Sequence, residues 1–186
     1  MFDPRVAFYL KHRQQIEEWA ALAKDAAAAI DGWLAELQPE VEALAKSLGP
    51  DVTCSAFVGS DQQWPSYRLV SSSWNLGTYD DAPVSVVLGW VRGKTNLHGW
   101  NTPYAGVRVP SGNLDGRLRD FQAFKRVRAS RRDGQEPELP AWSCIEPGPD
   151  FPESTAEYRK RLLSALRSAW EAYAPVIQAV STTPAA

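Results

Sequence analysis

The sequence predicts an α+β protein in which an antiparallel, tryptophan-rich sheet of about four to five strands is packed by a long N-terminal helix, a middle helix and a C-terminal helix. Three observations lead there. His12, Ile16, Trp19, Ala23, Ala26, Ile30, Trp33 and Leu37 recur at alternating steps of four and three, which places one apolar seam along a helix. Between residues 51 and 110 the pattern changes to short runs rich in Val, Tyr, Trp and Ser, separated by Gly, Pro, Asp and Asn. The C-terminal part then returns to helical spacing.

The first helix is expected to start at Asp3-Pro4, an acceptor side chain followed by proline at the first helical position, and to end at Gly49-Pro50. Pro39 interrupts it, and Val41, Leu44 and Leu48 are offset by one residue from the earlier seam, so a kink or break is expected near Gln38. The seam must be buried. Its cover is either the rest of this chain or another copy of the same helix.

Consecutive antiparallel strands are expected at 52–58, 67–74, 84–92 and 104–109. The run Val84-Ser85-Val86-Val87-Leu88-Gly89-Trp90-Val91 is the most apolar and should lie centrally, beneath the long helix. A second helix is expected at 113–130 with Leu114, Leu118, Phe121, Phe124 and Val127 on one stripe, then a polar, mobile loop at 131–140 and a short strand at 141–145. The final helix should span 154–180. Ser154 and Glu157 form a capping box at its start, Tyr158, Leu162, Leu166, Tyr173 and Ile177 line its apolar stripe, and Pro175 should bend or end its last turn. Residues 1–180 are expected to form a single domain, with 181–186 as a frayed tail.

A chain of 186 residues with 44% hydrophobic content supports one core, and its net charge of −2 gives no global attraction to nucleic acid or an acidic membrane. Residues 1–10 lack the apolar run of a secretory signal and no later stretch reaches membrane-spanning length, so a cytoplasmic location with no membrane partner is expected. The excess of Ala, Arg and Trp over Lys, Ile and Asn suggests a GC-rich bacterial genome. Cys54 and Cys144 have no metal-ligand or redox-motif spacing and read as buried, reduced thiols.

The order of helices and strands is similar to that of restriction-endonuclease-like nucleases, whose metal site uses an acidic residue on one strand and an acidic-x-Lys unit on the next. The residues do not follow. Between Glu42 and Glu136 there is no glutamate, and none of the aspartates there is followed two positions later by lysine. Asp80-Asp81 are the only adjacent carboxylates of the sheet region, and before Ala82-Pro83 they read as a turn. With only His12 and His98, a three-histidine zinc site is impossible, and glycine-rich phosphate loops are absent. Neither a metal nor any other cofactor is expected.

Three features remain. Trp64, Tyr67, Trp74, Tyr79, Trp90, Trp100 and Tyr104 concentrate large aromatic side chains in the sheet region. His98 and Trp100 occupy the loop 94–101, with Tyr104 at the following strand, where ligand contacts are commonly placed. Charge is also segregated: residues 17–51 hold eight acids against two lysines, whereas 117–132 hold Arg117, Arg119, Lys125, Arg126, Arg128, Arg131 and Arg132 against one aspartate. This basic run either binds phosphates or an acidic protein surface, pairs with the acidic first helix, or is simply solvated. The functional expectation is a non-catalytic cytoplasmic binding protein acting through a protein partner or self-association. The alternatives are a nucleic-acid-binding protein, a degenerate relative of the nuclease fold using the 117–132 patch, and a hydrolase or transferase with a site near His98.

Overall fold

The computed structural model describes residues 3–74, 84–93, 102–109, 118, 121–136, 138–149, 151 and 153–182. Helix α1 (Pro4–Ala35) opens on the expected cap, the Asp3 carboxylate accepting the Arg5 N–H at 2.8 Å. Pro39 has no N–H for the carbonyl four residues back, so the helix stops and restarts as α2 (Gln38–Leu48). The freed Ala35 carbonyl accepts the Tyr67 hydroxyl of the sheet at 2.8 Å, and that hydroxyl also lies 3.1 Å from the Leu34 carbonyl, which accepts the Leu37 N–H at 3.2 Å.

Five strands follow: β1 (Val52–Phe57), β2 (Ser66–Ser71), β3 (Ser85–Gly89), β4 (Tyr104–Arg108) and β5 (Ala141–Cys144). They form an antiparallel meander in sequence order, with β3 at the centre as its apolar run predicts. The register aligns Tyr67, Leu88 and Ala105 on one face, and likewise Leu69, Val86, Val107 and Ala141. This face is the core. It is covered by α2 over β1 and β2, and by α4 (Thr155–Thr182) over β3 and β4, while α3 (Gln122–Arg131) packs on α4.

Of the expected long helix, the part beyond the break, α2, thus covers the sheet, whereas α1 does not lie on it. Five strands about 4.8 Å apart span roughly 20 Å, and two helices about 10 Å apart already fill that width. Only the C-terminal part of α1 reaches the core, through Ala27, Asp31 and Leu34, with Ile30 and Trp33 half-buried. Trp33 stacks on Tyr158 of α4 at 5.6 Å, and Arg159 lies over the Trp33 ring while bridging Glu36 and Glu40 at 3.1 and 3.0 Å. The acidic stretch is thus neutralised in part by α4.

The stripe of α4 is buried as expected, from Tyr158 through Leu162, Leu166, Tyr173 and Ile177 to Val180. Pro175 does not end this helix, which continues to Thr182. Helix α3 starts after Phe121, whose backbone is extended (φ −65°, ψ 119°), and Phe124 and Leu118 are buried; Leu114 lies outside the described residues. The segment 131–140 was expected to be a free loop, but it is tied to the sheet. Gly134 exchanges backbone hydrogen bonds with Trp142, and the Val109 N–H donates to the Glu138 carbonyl at 3.0 Å. The tryptophans mostly flank the strands: Trp90 directly follows β3 and is fully buried, Trp74 stacks on Trp170 at 5.0 Å, and only Trp142 lies inside a strand among the described residues.

Candidate functional site

From Pro4 to Ala26, α1 projects away from the core as an arm about 35 Å long at 1.5 Å per residue. Every side chain along it is exposed except His12 and Ile16, which are half-exposed. Phe8, Leu10, Trp19 and Leu22 are 61%, 52%, 62% and 67% exposed. The 4-3 seam thus divides physically. Leu37 is buried and Ile30 and Trp33 pack on the core, whereas Trp19, Ala23 and Ala26 are exposed and His12 and Ile16 half-exposed. The backbone bends at His12 (φ −114°, ψ 15°), whose ring lies 4.5 Å from that of Phe8.

Local contacts keep the arm helical. Arg13 pairs with Glu17 at 2.8 Å, the Tyr9 hydroxyl donates to Glu17 at 3.0 Å and Gln14 donates to Glu18 at 2.9 Å. Hydrogen bonds from Arg13 and Tyr9 hold the Glu17 carboxyl below the usual carboxylate range. Such exposed pairs are screened by water, so they bias the helix without accounting for its apolar face.

A second feature lies on the sheet face opposite α2 and α4. A cavity of about 490 Å³ is lined by residues that include Trp64, Arg68, Tyr104, Arg108, Glu136 and Glu138. Arg68 sits with its guanidinium carbon 3.8 Å from the centre of the Phe57 ring and its Nε donating to Ser66 Oγ at 3.2 Å. Arg108 pairs with Glu138 at 3.1 Å. Burial, then the like charge of Arg108, lowers Arg68 to about 10, while burial raises the Tyr104 phenol to about 12, so Tyr104 is a neutral O–H donor at physiological pH. Glycine makes this arrangement possible. Gly89 is the register partner of Tyr104, and a Cβ there would lie 2.6 Å from the phenol Cζ and Oη.

Of the residues the sequence singled out, Tyr104 and, from the aromatic cluster, Trp64 line this cavity. His98, Trp100, Arg117, Arg119 and the Asp80-Asp81 pair lie outside the described residues. In the basic run, Arg131 pairs with Asp133 at 3.0 Å and donates to Ser168 Oγ at 2.9 Å, and Arg128 donates to Gln135. Asp133 also accepts the Tyr173 hydroxyl at 2.6 Å, and burial followed by this contact pushes the phenol far up. Lys125 is half-buried, and Arg126 and Arg132 point to solvent. Arg68 and Arg108 were missed. Strand alternation gives their face, but only the cross-strand register brings them to one cavity.

Both cysteines are free thiols, Cys54 facing the core side of β1 and Cys144 at the end of β5. Burial pushes the Cys54 thiol up to about 11. At pH 8 this leaves roughly a hundredfold less thiolate than an ordinary cysteine, so alkylation of native protein by iodoacetamide should label Cys54 far more slowly than in urea, as read by mass spectrometry. Equal rates would contradict its burial.

No group of three or more His, Cys, Asp or Glu residues suited to a metal ion occurs among the described residues, and no helix among them is long and apolar enough to cross a membrane. Comparison of the chain with protein-family models, curated proteins and solved structures gives no significant match.

Proposed function

We propose that the protein is a non-catalytic interaction protein that works by self-association, the α1 arms of two copies pairing antiparallel. The observation that carries this is the uncovered apolar seam from Phe8 to Ala26. A seam with 4-3 spacing is a helix-pairing surface, and leaving it in water forfeits about 25 cal/mol for each Å² of apolar area that a second helix would bury.

Charge selects the partner and the direction. Arg5, Lys11 and Arg13 lie near the tip of the arm, whereas Glu17, Glu18 and Asp25, with the single base Lys24, lie nearer its base. Antiparallel overlay centred near residue 15 sets Arg5 near Asp25 and Arg13 near Glu18 of the other copy, with Phe8 beside Ala23 and His12 beside Trp19, and leaves Lys24 without an acid opposite. Parallel overlay sets like charges together and Trp19 against Trp19. Because the sequence complements itself in this way, a second copy fits better than an unrelated helix.

The nucleic-acid reading has less support. With Arg128 and Arg131 held internally, Arg126 and Arg132 are the solvent-facing cations of the described part of the run. Two phosphate contacts give a log K against log salt slope of only about −2, against roughly −5 to −9 for proteins making six to ten contacts.

Sedimentation equilibrium tests the proposal. Wild type at about 50 μM should be dimeric, and Trp19→Asp or Phe8→Asp should be monomeric with an unchanged thermal transition of the core. A wild type that stays monomeric at this concentration overturns self-association, whatever else the arm binds.

A further inference from the structure

The Arg68 cavity carries an inference that does not rest on the arm. Among the described residues Arg68 forms no ion pair and makes one hydrogen bond, from Nε to Ser66 Oγ at 3.2 Å. That bond and the Phe57 ring, centred 3.8 Å from the guanidinium carbon, hold the group in place, and its Nη1–Nη2 end meets no acceptor among those residues. The Tyr104 hydroxyl lines the same cavity, likewise with no hydrogen-bond partner among the described residues, its ring admitted by Gly89. Beside these two donors stand apolar surfaces, Trp64 at 53% exposure and Leu139. Positioned polar groups next to apolar walls, in a concavity of about 490 Å³, have the make-up of a small-ligand site.

The charge of the lining narrows the ligand. Arg108 is paired with Glu138 at 3.1 Å, and Glu136 and Glu138 are both exposed, where water screens them. The half-buried Arg68 guanidinium has no counter-charge in contact with it among the described residues. Burial and then the like charge of Arg108 lower it to about 10, so it is still cationic at neutral pH, and an anion seated against it would offset both effects. One negative charge suffices. A phosphate or polyphosphate would bring further charge up to Glu136 and Glu138 with a single uncommitted guanidinium to offset it. Guanidinium and phenol are both donors, so the head group must accept only, and a planar pair of oxygens matches the Nη1–Nη2 end. We propose that this cavity binds a small monocarboxylate with an apolar, ring-bearing tail, an arylalkanoate or its close analogue. The carboxylate takes the Nη1–Nη2 end of Arg68 and the Tyr104 O–H, and the tail packs on Trp64 and Leu139.

Titration of the 15N-labelled full chain, followed by the Arg68 Nε–H and Trp64 Nε1–H resonances, tests this with four probes: 3-phenylpropionate, acetate, 3-phenylpropanol and inorganic phosphate. 3-Phenylpropionate should shift both resonances with a Kd on the order of 1 mM, in keeping with a ligand of about eleven heavy atoms. Acetate, which lacks the tail, and 3-phenylpropanol, which lacks the charge, should each bind at least about tenfold more weakly, and phosphate at about 10 mM should not displace 3-phenylpropionate. Arg68→Gln should lose affinity about tenfold or more, and Tyr104→Phe and Trp64→Ala severalfold. No saturable shift by 3-phenylpropionate at about 20 mM, equal affinity for acetate or 3-phenylpropanol, tighter binding of phosphate, or undiminished binding by a folded Arg68→Gln would each overturn the proposal. If circular dichroism shows Arg68→Gln to be unfolded, the 3-phenylpropanol comparison and the Tyr104→Phe and Trp64→Ala variants decide it, unchanged affinity in both variants counting against the site.

Discussion

Gly106→Ala should destabilise the protein by about 3 kcal/mol or more, the upper end of what forcing atoms into a packed interior costs. A Cβ at this position would fall inside van der Waals contact of the Ala141 carbonyl oxygen and 2.8 Å from Trp142 Cα. Both obstacles are backbone on the neighbouring strand, so no side-chain rotation relieves them. The strand can retreat only by giving up the Gly106–Trp142 register, and with it the Trp142 contacts that tie Gly134 to the sheet. Urea unfolding followed by near-ultraviolet circular dichroism measures the loss. The control is Gly32→Ala in α1, where a Cβ meets nothing within 4 Å; there, exchange of glycine for alanine in a helix should add up to about 1 kcal/mol. Similar behaviour of the two variants would mean that β4 and β5 are not paired as described.

The second large effect divides α1 in two. Leu34→Ala should cost about 2–5 kcal/mol, since Leu34 is fully buried among the core side chains and its removal leaves a cavity that a helix junction fixed by Tyr67 and Trp33 cannot easily close. Trp19→Ala, a larger truncation on the same helix, should change monomer stability by less than about 0.5 kcal/mol, because the indole is already in water. Both are measured by urea unfolding at about 1 μM, where arm pairing contributes little. A loss at Trp19 comparable to that at Leu34 would place the indole against the core and contradict the projecting arm.

These two variants also show what the sequence revealed and what it withheld. The break at Pro39, the central place of β3 and the buried stripe of α4 were legible because each depends on local chemistry: a missing N–H, an apolar run, a period of 3.6. The seam of α1 was legible as a seam. What covers it was not, because apolar spacing is the same whether the partner is the chain's own sheet or a second molecule, and the width of sheet left uncovered by α2 and α4 is a tertiary quantity. The 131–140 segment misled for a related reason. Its polar composition reads as a loop, but the glycine that makes it look flexible, Gly134, is the one that lets the chain lie against Trp142. Of the cavity, Tyr104 could be found from the sequence as an aromatic at a strand start. Arg68 and Arg108 look like ordinary solvated positions until register sets them on one face.

The most direct measurement is a cross-linking comparison between two single-cysteine additions on the arm, Gln15→Cys and Arg5→Cys, under mild oxidation. In an antiparallel pair centred near residue 15, the two copies of position 15 face each other across the axis. The two copies of position 5 are separated by about 31 Å, at 1.5 Å for each of some 21 intervening residues, and a disulfide needs Cα atoms within about 7 Å. Cys54 does not interfere, its thiol being pushed up to about 11 by burial, and unmodified protein controls for Cys144. Disulfide-linked dimer with Gln15→Cys and little with Arg5→Cys is the predicted result. Efficient linkage at both positions would mean parallel arms, and linkage at neither would mean that the exposed seam of α1 does not pair with itself.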